Sequence, residues 1–121
     1  MGDYWGDDFD ELKEELFSSR YGVYVEDALI HYLEGRNDIN IEFYHNREVD
    51  YSEGVFEIDF VFPGMGIVWE VKLTERENST WQAKIQQEYA NGINFDYIRS
   101  VGREAILADL KRIVPPRIGR V

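Results

Sequence analysis

The spacing of apolar residues changes period several times along the chain, and each change predicts an element. From Asp7 to Ser18, Phe9, Leu12, Leu16 and Phe17 recur at helical spacing behind an acidic first turn of Asp7, Asp8 and Asp10. A second helix is expected from Val23 to Glu34, with Val25, Ala28, Leu29, Tyr32 and Leu33 on its inner stripe and Gly35 at its C-terminal cap. From Ile39 the period falls to two: Ile39, Ile41 and Phe43 alternate with Asn40, Glu42 and Tyr44, which predicts a strand. His45 to Gly54 then reads as a polar connection.

Two strands follow, Val55 to Phe62 and Ile67 to Leu73, joined by the turn Pro63-Gly64-Met65-Gly66. Strict alternation would put Phe56, Ile58, Phe60 and Phe62 on one face of the first, and Ile67, Trp69, Val71 and Leu73 on one face of the second. Ser79 and Gln82 match a capping box, so a helix is expected to run from there to about Asn91 and end at Gly92. Ile93 to Val101 reads as a strand, and Gly102 opens a last helix that Pro115-Pro116 terminates. The order is helix, helix, three strands in a meander, helix, strand, helix. It predicts an α/β fold with a small mixed sheet flanked by helices, the last two strands being parallel across their helical crossover.

The other faces of the two central strands carry the unusual chemistry. Glu57 and Asp59 share one, Glu70 and Lys72 the other, and the hairpin can bring Asp59 beside Glu70 and Lys72. Charges on mostly buried strands are costly without a partner or a task. Two carboxylates and a lysine that converge there can hold a divalent cation and orient a water. The bland alternative is a set of ordinary pairs: Glu70 with Lys72 on an edge, Asp59 as an exposed neighbour, Glu26 as a solvated helix residue, and Gln82 as a helix cap only. Trp69 is expected in the core, and Trp5 and Trp81 in the core or an interface.

Composition narrows the choice. The chain has 121 residues, 44% of them hydrophobic, which suits a single domain over residues 1–121. It divides into an N-terminal helical extension (1–19), a core (20–114) and a basic tail (115–121). Without cysteine a thiolate zinc site is excluded, the two histidines His31 and His45 cannot supply a zinc set on their own, and a bound metal is expected to be oxygen-ligated. The acidic N-terminus is unlike a signal peptide, and no apolar run approaches the roughly 20 residues of a membrane span, so a soluble intracellular protein without a membrane partner is expected.

The formal charge of −11 speaks against nucleic acid as a partner, but its distribution is uneven. Residues 1–59 hold 4 Lys/Arg and 17 Asp/Glu, whereas residues 99–121 hold 6 and 2. Arg99, Arg103, Arg117 and Arg120 in that basic end are the candidate DNA contacts, with His45 and Arg47 as further phosphate candidates. An acidic surface with arginine in excess of lysine would also suit a high-salt host.

The run Ile58-Asp59, a hydrophobic hairpin, then Glu70-Val71-Lys72 resembles the PD-(D/E)xK nuclease superfamily, and the order of elements is similar to that family's αβββαβ core. Within it, Thr80-Trp81-Gln82 through Gly92, followed by Ile98-Arg99-Ser100 and a final helix, is similar to the VRR-NUC (virus-type replication-repair nuclease) group. Gly22 and Glu26 also resemble the Holliday junction resolvases of archaea and phages. The likeness covers residues 20–114, and Ile58 stands where the family often has proline.

The resemblance implies a DNA endonuclease dependent on Mg²⁺ or Mn²⁺. In it Asp59 and Glu70 are metal ligands with Glu26 and the Val71 carbonyl, Lys72 orients the attacking water, and Gln82 places the scissile phosphate. It implies branched DNA, a Holliday junction or flap, as substrate in viral or phage-type replication, recombination or repair. It also implies a homodimer, with the first helix or the last at the interface. A different class stays open beside it: a non-enzymatic acidic protein of nuclease-like fold that acts as a DNA mimic or inhibitor of a basic partner.

Overall fold

A computed structural model describes residues 3–18, 23–51, 54–74 and 80–118. Helices form where the 3.6-residue stripes lie: α1 (Asp7–Ser18), α2 (Val23–Glu34), α3 (Thr80–Gly92) and α4 (Arg103–Ile113). The main sheet has the order β2 (Tyr44–Tyr51), β3 (Gly54–Phe62), β4 (Ile67–Lys72), β5 (Asp96–Val101). The first three strands are antiparallel, and β5 runs parallel to β4 with Glu70 opposite Arg99. Over the described residues the fold is thus mixed α/β, with a four-stranded mixed sheet and four helices. A small second sheet pairs β1 (Asp3–Tyr4) with β6 (Arg117–Ile118). The Ser79 cap expected for α3 lies outside the described residues.

Two layers of apolar side chains hold the sheet. On one face Phe60, Phe62, Trp69 and Val71 pack against Phe9, Leu12 and Leu16 of α1, Leu29 and Leu33 of α2, and Ile106 and Leu110 of α4. On the other, Phe56, Ile58, Val61 and Val68 pack against Ile85 and Ala90 of α3. The stripe of α1 is therefore buried in its own fold, except for Phe17, which is half exposed. Phe17 and Tyr4 border a groove of about 640 Å³ against Leu107 and Ala108 of α4.

Two expectations need correction. Residues 39–43 form no strand: Ile39, Ile41 and Phe43 do turn toward the core, but the sheet partner begins at Tyr44. The supposed polar connection after it is the edge strand β2. Polar composition hid it, because an edge strand whose side chains are largely solvated needs little apolar alternation. The uniform facing of β3 also fails. Phe56 and Ile58 belong to the layer under α3, whereas Phe60 and Phe62 belong to the opposite one. The flip coincides with the one step missing from the β2–β3 ladder, Asn46 opposite Asp59, where Asn46 has a left-handed φ of 52°.

A polar chain that runs from the buried Trp69 indole to the surface ties the sheet to α4. Trp69 Nε1 donates to Ser100 Oγ at 2.7 Å, Ser100 Oγ donates to Asp109 Oδ2 at 2.7 Å, and Arg112 holds the other Asp109 oxygen at 2.8 Å. Ser100→Ala leaves the Trp69 indole N–H without its acceptor and is expected to cost about 2 kcal/mol. Urea denaturation measures this, and a loss below about 0.5 kcal/mol would mean that the hydroxyl is not what satisfies the indole.

At the C-terminal end, Arg117 grips Asp8 with both terminal nitrogens at 2.8 Å and approaches Asp38 at 3.5 Å. Buried Arg36 takes both oxygens of Asp38 at 2.7 Å. Gly6, with φ 94°, lies under the Arg117 guanidinium where a Cβ would collide with it. These pairs fasten β6 to the start of α1.

Candidate functional site

The central strands part where the carboxylates lie. β3 and β4 are paired at Phe60–Trp69, Val61–Val68 and Phe62–Ile67, and the ladder stops there. At the next step Asp59 Oδ2 accepts the Val71 N–H at 3.0 Å, so a side chain takes the place of a ladder bond. Glu70 Oε2 reaches back to 3.5 Å from the Asp59 N–H. Both carboxylates are buried at this fork.

Lys72 and four further elements close on it. Lys72 Nζ stands 3.1 Å from Glu70 Oε1. From α3, Gln86 donates to Glu70 Oε2 at 2.9 Å, and its own oxygen accepts the Tyr97 hydroxyl of β5 at 2.8 Å. From α2, Glu26 shares a hydrogen bond with Asp59, while its Oε2 lies 2.9 Å from His45 Nε2 of β2. His45 in turn packs on Phe60, with ring centroids 5.2 Å apart.

Like charges at such distances oppose ionisation. Burial, then the hydrogen bond and charge of Asp59, push Glu26 up to about 7 against the pull of His45. Burial, then Asp59, push Glu70 up to about 8 although Lys72 opposes them. Burial works against the Lys72 charge, but Glu70, Asp59 and Glu26 outweigh it and raise its pKa. Burial and then Glu70 raise the Tyr97 hydroxyl, which therefore stays a proton donor to Gln86.

The structure thus gathers Glu26, Asp59, Glu70, Val71 and Lys72 in one place, Val71 through its N–H. Gln82 is exposed one turn upstream on α3, and the glutamine in the cluster is Gln86. Of the arginines named as DNA contacts, Arg99 lies beside Glu70 in the sheet, and Arg120 is outside the described residues. Arg117 is held by Asp8 and Asp38, and Arg103 Nε donates to the Leu16 carbonyl. Sequence reasoning missed Gln86, Tyr97 and the role of His45. The available signal was a polar residue inside the buried stripe of a helix, Gln86 next to Ile85 and Ala90.

Among the described residues no group of three or more His, Asp and Glu side chains is arranged to hold a metal ion as it stands. Lys72 and Gln86 hold Glu70, the Val71 N–H holds one Asp59 oxygen, and His45 holds Glu26. The chemistry of the donor set nevertheless fits a hard divalent cation. It consists of carboxylate oxygens on Glu26 and Glu70 whose pKa values burial and then the Asp59 charge raise, a repulsion that a cation would relieve.

Comparison of the chain with protein-family models, curated proteins and solved structures gives no match. Among the described residues no helix is long and apolar enough to cross a membrane.

Proposed function

We propose that the chain is a metal-dependent DNA endonuclease with a PD-(D/E)xK-like core. The observation that supports this most is the fork between β3 and β4, which brings Asp59, Glu70 and Lys72 into contact with Glu26 and Gln86. Glu26, Asp59 and Glu70 would hold Mg²⁺ or Mn²⁺, which supplies charge neutralisation and a more acidic water for phosphodiester hydrolysis. Lys72 keeps a positive charge beside the reacting centre and can hydrogen-bond the attacking water. Gln86, held by Tyr97, fixes the orientation of the Glu70 carboxylate, and His45 does the same for Glu26. Branched DNA is the proposed substrate, cut by a homodimer that supplies two such sites, in viral or phage-type recombination or repair.

Cleavage of linear, flap, splayed and four-way DNA with Mg²⁺, Mn²⁺, Ca²⁺ or EDTA tests the reading. Mg²⁺ and Mn²⁺ are expected to support cutting, and Ca²⁺ to bind without supporting it. Turnover in EDTA equal to that in Mg²⁺ would remove the metal from the mechanism. One observation favours a second reading: the carboxylates are already satisfied by Lys72, Gln86, Val71 and His45, as suits a non-enzymatic acidic protein of nuclease-like fold. That protein would mimic DNA or inhibit a basic partner, and it would cut none of the panel with any metal.

A further inference from the structure

On β2, beside the carboxylates, a cation is stacked on a ring instead of paired with an acid. The Arg47 guanidinium lies over the Tyr44 ring, 5.0 Å from its centroid, and both residues are exposed. Among the described residues Arg47 makes no ion pair, and the Tyr44 hydroxyl donates to Glu42 at 3.1 Å. Residues three apart on a regular strand face opposite sides. Tyr44 and Arg47 meet because Asn46 between them is left-handed, the same residue that stands opposite Asp59 where the ladder is broken. Arg47 is in register with Ile58, one residue from Asp59. The interrupted step of the β2–β3 ladder beside Asp59 therefore lies next to the stacked Arg47–Tyr44 pair.

Lys72 is held by Glu70 at the reacting centre, so a substrate strand needs a further fixed positive charge along its backbone. Arg36 is locked onto Asp38, and Lys13 lies in the groove between α1 and α4, which leaves Arg47 as the cation of the described acidic half next to the fork. A guanidinium stiffened by stacking on an aromatic face still presents its N–H edge to a phosphate with two hydrogen bonds. We propose that Tyr44 and Arg47 form a phosphate-binding subsite that holds the backbone of the strand to be cut, within a nucleotide or two of the scissile bond. The subsite rests on the nuclease reading above and extends it to a substrate-positioning residue.

The test compares wild type with Arg47→Gln, Arg47→Lys, Tyr44→Phe and Tyr44→Ala, with the remote exposed Arg112→Gln as control. Binding to DNA in Ca²⁺ is followed across a salt series, and steady-state cleavage in Mg²⁺. Arg47→Gln is expected to weaken binding about tenfold and to flatten the salt dependence by about 0.7–0.9 of a unit. KM should rise while kcat stays within about twofold, because the contact is to the substrate backbone and not to the reacting atoms. Arg47→Lys should keep the salt slope, Tyr44→Phe should behave as wild type, and Tyr44→Ala should fall between wild type and Arg47→Gln. An Arg47→Gln protein with wild-type slope and KM overturns the subsite while leaving the nuclease reading intact. A wild-type protein that neither binds nor cuts any DNA overturns both.

Discussion

Asp59→Asn is expected to remove DNA cleavage, by on the order of a thousandfold or more, and at the same time to make the protein more stable at pH 8. Asp59 is the group common to every repulsion in the site: its charge and hydrogen bonds raise both Glu26 and Glu70. An asparagine keeps the oxygen that accepts the Val71 N–H, so the fork between β3 and β4 is retained. Its amide can donate to a neighbouring carboxylate, which lets Glu26 and Glu70 ionise more readily. Cleavage assays and thermal melts of the same preparation separate this outcome from simple unfolding. A variant that keeps a tenth of wild-type cleavage, or one that loses stability, would remove Asp59 from the centre of the site. Lys72→Ala belongs to the same test. It strips Glu70 of its closest cation, 3.1 Å away, and should slow cleavage about a hundredfold while DNA binding persists.

Much of this arrangement is legible in the sequence, and what is not has physical causes. The bounds of α1 and α2 follow from stripes such as Phe9, Leu12 and Leu16, because amphipathic helices advertise their buried side. The facing of Glu70 and Lys72 follows from strict alternation on β4, a central strand with partners on both sides. Alternation misleads on β3, where the facing changes between Ile58 and Phe60, at the step where the β2–β3 ladder is interrupted beside left-handed Asn46. No local pattern announces that Asn46 will adopt φ 52°. Gln82 drew notice through its capping spacing, a local signal. Gln86 matters through partners 16 and 11 residues away, Glu70 and Tyr97, and such contacts exist only once α3 has docked. The basic C-terminal end shows the same limit. Charge counts mark Arg117 as available, yet the fold pairs it with Asp8, 109 residues earlier.

Metal-free protein is expected to lose stability steadily as pH rises from about 4.5 to about 8, and a divalent cation should restore it. Unfolded glutamates release their protons near 4.5, whereas folded Glu26 keeps its proton to about 7 and Glu70 to about 8. Within that window the native state binds more protons than the unfolded one, so each step up in pH favours unfolding. Below the window both states are protonated and nothing is lost; above it the penalty is complete and constant. Lys72 stays charged throughout and limits the penalty without cancelling it. The loss should reach roughly 2–4 kcal/mol, or about 10 °C in Tm. Melts in EDTA at intervals from pH 5 to pH 9 measure it. Mg²⁺ or Mn²⁺ should raise Tm at pH 8.5 far more than at pH 5, because only the ionised cluster offers its oxygens to a cation. Glu70→Gln, which cannot ionise, should flatten the profile and weaken the metal response together. A Tm independent of pH across this range, or an equal shift by Mg²⁺ at pH 5 and pH 8.5, would show that Glu26, Asp59 and Glu70 do not act as one carboxylate cluster.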